Sequence, residues 1–220
     1  MKTIYSGLGL VHIHPWSFMK FFETLINGGF IMYPLFICSV LVWAVFIEKY
    51  FFLSKFNKQF QSLFQTANGL MDDGKMIECI GLVKSAEPYL RDPMLAVLEG
   101  KGLSKESWEK SILRKLSETQ MVLKRFLWIL GTIGNLAPFI GLFGTVVGII
   151  KSFQSMSITG WSGFAVVSSG LSEALIATAA GILVAIVSVV FYNFFQTKIN
   201  SLFLRLRNNL EELSEKVEKV

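Results

Sequence analysis

One carboxylate stands alone in the longest apolar stretch of this chain. Between Lys151 and Lys198, Glu173 is the only charged residue. A charge at the centre of a membrane span costs roughly 2.5–3.5 kcal/mol on insertion scales. The stretch offers no Lys or Arg to pair with it. The side chain must therefore take its neutral form, reach water, or meet a group on another chain. Each of these suits a carboxylate that binds and releases protons. The plainer reading is a Glu near the outer interface that snorkels to water. A span beginning near Phe164 puts Glu173 well inside its start and weighs against that.

The residues around it are small and periodic. Gly170, Glu173, Ala177, Ala180 and Val184 form one helical stripe, and Ala174, Thr178, Gly181, Ala185 and Ser188 form its neighbour. The preceding apolar stretch carries Gly131, Gly134, Pro138, Gly141, Thr145, Gly148 and Ser152, spaced alternately by three and four. That is a seven-residue period. In lipid, stripes of small residues let helices approach closely. Two stripes on one helix point to two contact surfaces. A helix–helix seam and the wall of a pore both fit the stripe of the second stretch. Pro138 costs a backbone hydrogen bond, which a packed neighbour or a wet cavity must compensate.

Little else suggests chemistry. His12 and His14 alternate without a third ligand and read as ordinary surface residues. Cys38 and Cys79 read as small apolar side chains. There is no phosphate-binding loop, metal cluster or nucleophile–base arrangement, so no enzyme activity, metal or cofactor is expected.

These residues need elements to hold them. Of the 220 residues, 52% are hydrophobic and only 17% charged, against about 25% charged in soluble domains. So much apolar surface cannot all be hidden in a soluble core. Twenty Phe and five Trp exclude disorder, and two Cys exclude a disulfide scaffold. Charge-free runs from Thr24 to Ile47 and from Phe126 to Ile150, with the run holding Glu173, predict an all-α membrane protein of three transmembrane helices at 28–50, 126–151 and 164–195. Ser- and Gly-rich residues 152–163 are expected to form a loop. Lys49, Lys55 and Lys58 follow the first span, Lys110, Arg114, Lys115, Lys124 and Arg125 precede the second, and Lys198, Arg205, Arg207 and Lys216 follow the third. Only Lys2, Lys20 and Lys151 fall on the other side. The positive-inside rule then puts the N-terminus and the 152–163 loop outside and the C-terminus inside. Residues 1–27 form an external segment whose Trp16 and Phe residues suggest an interfacial helix.

Residues 51–125 form the cytoplasmic helical domain, and 196–220 a cytoplasmic C-terminal helix. Phe56, Phe60, Leu63, Phe64, Ala67 and Leu70 recur at helical spacing until Asp72-Asp73-Gly74 breaks the pattern. A second helix is expected over 75–86, with Pro88 and Pro93 punctuating the residues after it. Ser104 is an N-cap candidate for a long helix carrying Trp108, Ile112, Leu116, Thr119 and Leu123. Nothing interrupts that pattern before Phe126, so this helix is expected to run straight into the second span. A domain this small buries little apolar surface alone and is expected to pack against neighbouring copies.

Three motifs together resemble the MotA/TolQ/ExbB proton-channel family. The second span carries Ala137-Pro138-Phe139-Ile140-Gly141-Leu142-Phe143-Gly144-Thr145-Val146-Val147-Gly148-Ile149-Ile150, followed by Phe153. The third carries Gly170-Leu171-Ser172-Glu173-Ala174-Leu175-Ile176-Ala177-Thr178-Ala179-Ala180-Gly181, followed by Ala185 and Tyr192-Asn193. Gly28-Gly29-Phe30-Ile31-Met32-Tyr33-Pro34-Leu35, ending in Glu48-Lys49, is similar to the first span of ExbB-type members. Val187 departs from the Pro of many relatives, which bears on a bend there and not on the ion path. The resemblance implies a bacterial inner-membrane protein that forms a homopentamer around two copies of a single-span ExbD- or TolR-like partner bearing an intramembrane Asp. Proton flow would drive motion passed to a TonB- or TolA-like protein. Glu173 would be the essential carboxylate, with Thr145 and Thr178 as polar pathway residues. Gly134, Pro138, Gly141, Gly148, Ala177 and Gly181 would line the pore or pack its helices. An ExbB-type motor serving TonB-dependent transport is the leading expectation. A TolQ-type subunit maintaining the outer membrane is the alternative, and a passive scaffold the third.

Overall fold

A computed structural model describes residues 30–100, 104–159 and 164–219. The expected interfacial helix, His12, His14 and Gly160–Gly163 lie outside the described residues. Among the described residues six helices succeed one another: α1 Met32–Asp72, α2 Met76–Lys84, α3 Pro88–Leu98, α4 Lys105–Lys124, α5 Leu127–Thr159 and α6 Phe164–Lys219. Among the described residues the fold is all-α. α1, α5 and α6 are each long and apolar enough to cross a membrane. Each expected span is part of a longer helix. The first continues to Asp72 and the third to Lys219. The expected 152–163 loop is corrected in its first part, since α5 continues through Ser152 to Thr159.

The helix ends are set by local chemistry. α1 stops where Gly74 adopts a left-handed φ of 71°. There Gly74 N–H donates to Met71 O at 3.1 Å and Lys75 N–H to Leu70 O at 2.8 Å, which closes a Schellman turn. Pro88 opens α3 at its first position, where the missing N–H costs nothing. Pro93 lies inside α3 and cannot donate to the Tyr89 carbonyl. The Thr119 hydroxyl, from α4, donates to that carbonyl instead at 3.0 Å. Ser104 caps α4, its Oγ accepting from Ser107 N–H.

The chain divides into two compact units. The first takes the described residues up to Cys38 together with Asn135–Ala185. In it, α5 and α6 run antiparallel over small residues. Ala137, Gly141, Gly144 and Ser152 are buried on one side and Ala174, Ala177, Ala180, Gly181 and Ala185 on the other. The second unit takes Ser39–Gly134 and Ile186–Val220. Its core is large: Phe56, Phe60, Phe64 and Met71 on α1, Met94 on α3, and a heptad row of Phe195, Ile199, Leu202, Leu206, Leu210, Leu213 and Val217 on α6. Here α1 and α6 run parallel. Trp43 meets Phe191 near the start, and Lys216 pairs with Asp72 at 2.5 Å near the end.

The helix capped by Ser104 does not run straight into the second span. α4 ends at Lys124 and α5 begins at Leu127. Between them Phe126 takes a left-handed φ of 64°, while the Arg125 guanidinium lies 4.4 Å from the Phe126 ring centroid. A non-glycine residue there costs about 1–3 kcal/mol and persists only where its surroundings hold it. One such support is Lys49. Its side chain is fully buried, and its Nζ donates to Leu123 O at 3.1 Å, placing a cation at the C-terminal end of α4.

Candidate functional site

The glycines of the first unit mark where two backbones touch. A Cβ at Gly141 would stand 2.9 Å from both Ala177 O and Thr178 Cα. One at Gly181 would stand 2.5 Å from Ala137 O, and one at Gly148 2.6 Å from Ala174 Cβ. Only glycine permits these approaches. The structure thus brings Gly141, Gly148, Ala177, Thr178 and Gly181 into one seam. Pro138 is half-buried in the same unit, and Gly134 is buried in the other. The stripe read from the second span is partly redrawn. Ala137 and Gly144 lie off it yet are buried, whereas Thr145 and Gly148 are only half-buried. A Cβ at Gly144 would meet Ala177 Cβ at 3.0 Å and Ile31 Cγ2 at 3.1 Å. Gly144 therefore packs against both α6 and the residue preceding α1.

Glu173 is the exposed member of its stripe, and its neighbours Ala174 and Ala177 are buried. It opens onto a cavity of about 350 Å³ whose walls include Phe30, Gly144, Gly148, Lys151 and Ser152. Lys151 is the other charged residue among the described residues of that lining. In the sequence Lys151 reads only as a marker of sidedness. The signal that would have found it is periodicity: Lys151 lies one helical turn beyond Gly148, beside the glycine face that meets α6.

The two threonines sit differently. Thr178 Oγ1 donates across the seam to Gly141 O at 2.9 Å, and Thr145 Oγ1 donates within its own helix to Leu142 O at 2.7 Å. Neither lines the Glu173 cavity. A hydroxyl has one proton and two acceptor lone pairs. Each proton is taken by a carbonyl, so each side chain keeps only its oxygen lone pairs free to accept. In the second unit the Ser188 hydroxyl repeats the device, donating to Leu130 O at 2.8 Å. Cys79 is buried, and that burial pushes its thiol pKa up, which keeps it protonated and unreactive.

The sequence profile of the MotA/TolQ/ExbB proton channel family matches residues 84–208. The chain is 34% identical over 180 residues to the biopolymer transport protein ExbB of Salmonella typhimurium, across 78% of this chain and 73% of that protein. It is 30% identical over 210 residues to the biopolymer transport protein ExbB of Pseudomonas putida, across 88% of this chain. It spans 60% of that relative's length. A shorter match joins it to the Tol-Pal system protein TolQ of Pseudomonas aeruginosa, 40% identical over 90 residues, across 41% of this chain and 39% of that protein.

Proposed function

Because this chain belongs to the MotA/TolQ/ExbB proton channel family, we propose that it is the proton-channel subunit of an ExbB-type motor in a bacterial inner membrane, energising TonB-dependent outer-membrane transport. Three long apolar helices make it a multi-pass membrane protein. In this reading the N-terminus is external and the C-terminus cytoplasmic. The observation that carries the reading is Glu173, a carboxylate within a span that opens onto a polar-edged cavity beside a glycine-built seam. Protonation removes the carboxylate's desolvation cost and frees it to pass apolar wall, and ionisation beside water or a hydroxyl pins it again. Each elementary charge crossing 100 mV releases about 2.3 kcal/mol, so a few protons per step exceed thermal energy.

The assembly proposed is a homopentamer around two copies of an ExbD- or TolR-like single-span protein bearing an intramembrane Asp, passing motion to a TonB- or TolA-like protein. The subunit itself is not an enzyme in this reading, and the ion is H⁺. The TolQ match favours a second reading, a subunit of a system maintaining outer-membrane integrity.

Glu173→Gln tests the mechanism, because it keeps size and polarity and abolishes titration. The assembled complex is expected to form normally while energised function vanishes. Complementation separates the two roles: restored TonB-dependent uptake supports the first, and restored detergent resistance the second. Normal activity from an assembled Glu173→Gln complex would leave only a passive scaffold.

A further inference from the structure

The second unit holds a cavity of about 740 Å³ at the level where α6 leaves its apolar run. α6 contributes Asn193, Thr197, Lys198, Ser201 and Arg205 to its wall, and α1 contributes Asn57. Lys198 is the first charged residue after Glu173, so the apolar span ends at this cavity. From Asn193 to Arg205 the wall extends about 18 Å along the helix at 1.5 Å per residue. It therefore begins at membrane depth and ends beyond the interface.

Its charge is one-sided. Lys198 and Arg205 line it, and among the described residues no carboxylate does. Among the described residues neither makes an ion pair, whereas Arg207, on the same helix, is held by Glu211 at 2.8 Å. The Lys198 ammonium stands 5.8 Å from the Phe194 ring centroid, over an aromatic wall of the same cavity.

We propose that this cavity binds the headgroup of an anionic glycerophospholipid. Lys198 and Arg205 take the phosphodiester, and Thr197, Ser201 and Asn193 donate hydrogen bonds to phosphate or ester oxygens. The Asn57 side-chain NH₂, facing from α1, donates to a headgroup hydroxyl oxygen of the kind phosphatidylglycerol carries. Phe194 walls the glycerol end. Cations just beyond a span attract anionic lipid at about 1 kcal/mol each, and a cavity with directed donors converts that attraction into a site. The site does not depend on the role proposed for Glu173.

The test uses the full chain in whatever assembly it forms, equilibrated with a mixture of phosphatidylglycerol and phosphatidylcholine and read by native mass spectrometry. Selective retention of phosphatidylglycerol is expected. Lys198→Gln with Arg205→Gln should lower that retention roughly thirtyfold, as the loss of two such cations implies. Lys58→Gln, a neighbouring cation outside the cavity, should leave it unchanged. Asn57→Leu changes no charge and should also lower retention, which covers the case of a misfolded double variant. Equal retention of the two lipids, or full retention in Asn57→Leu and in the double variant, would overturn the proposal. So would displacement of the lipid by millimolar inorganic phosphate alone, which would assign the site to free phosphate. A surface closed by a second copy would also overturn it, and would show as assembled chains that take no lipid until dissociated.

Discussion

The two units reach close packing by opposite means. In the first, α5 and α6 approach because side chains are missing: glycines face carbonyls and alanine methyls within van der Waals range. In the second, helices are held by bulk. Phe56 is fully buried and stacks with Phe60, and Phe60 in turn meets Phe64. The contrast arises from the solvent that the α5–α6 seam and the Phe56–Phe64 core must each leave. Against lipid, an apolar side chain gains nothing by moving from tail to neighbour, so closeness and carbonyl-directed hydroxyls supply the energy. Against water, each buried large apolar side chain contributes roughly 1.5–3 kcal/mol. The sign of a damaging substitution should therefore differ: truncation should harm the second unit and enlargement the first.

The largest effect is expected where bulk is removed. Phe56→Ala leaves a cavity beside Phe60 and Tyr89 and should cost about 3–5 kcal/mol. Thermal unfolding of the detergent-solubilised protein, followed by far-ultraviolet circular dichroism, should show the midpoint falling sharply. The opposite change comes next. Gly141→Leu forces atoms into Ala177 O and Thr178 Cα and should cost about 1–3 kcal/mol, read as loss of the assembled complex on native gels. Gly141→Ala already sets a Cβ at 2.9 Å from backbone and should weaken assembly in the same direction. A Gly141→Leu complex of wild-type stability would break the comparison.

Much of this contrast was legible in the residues. Charge-free runs marked the three spans, and the recurrence of Phe56, Phe60, Phe64 and Ala67 marked the α1 core face. Ser104 announced its cap and Gly74 its turn. Three features were not legible, for different reasons. Leu116, Thr119, Leu123, Leu127 and Leu130 continue one helical period across Arg125 and Phe126, and no Gly or Pro marks the break. It depends on a tertiary contact, Lys49 to the Leu123 carbonyl, that no local pattern contains. Likewise Gly144 reads as off-stripe because the period was fitted to one neighbouring helix, whereas Gly144 also meets Ile31. At the candidate site, Glu173 was visible by its isolation. Lys151 was not, because a charge at a span's end looks the same whether it faces water or a cavity.

Lys49 offers a smaller test at the edge between the two regimes. Lys49→Met keeps length and apolar packing but removes the donor to Leu123 O. An orphaned buried carbonyl costs about 1–3 kcal/mol, and relief of the buried ammonium's own desolvation offsets part of it. The net expectation is a loss of about 1 kcal/mol in the same thermal assay. A midpoint equal to or above wild type would mean that something other than this hydrogen bond holds the break at Phe126.

The smallest expected effect separates stability from function. Thr178→Val keeps the shape of the seam and removes one hydrogen bond, Thr178 Oγ1 to Gly141 O at 2.9 Å. Hydrogen bonds between spans average only about 0.6 kcal/mol, so the complex should assemble with an almost unchanged midpoint. Thr145→Val removes a bond within one helix and should cost less still. If the hydroxyl oxygens serve as acceptors along a proton path, both variants should nonetheless impair energised transport, though less completely than Glu173→Gln. Thr178→Ser restores the hydroxyl without the methyl and should recover most activity. Transport lost only in proportion to a fall in assembly would assign Thr178 to packing alone, which would make the first unit's polar groups as structural as its glycines.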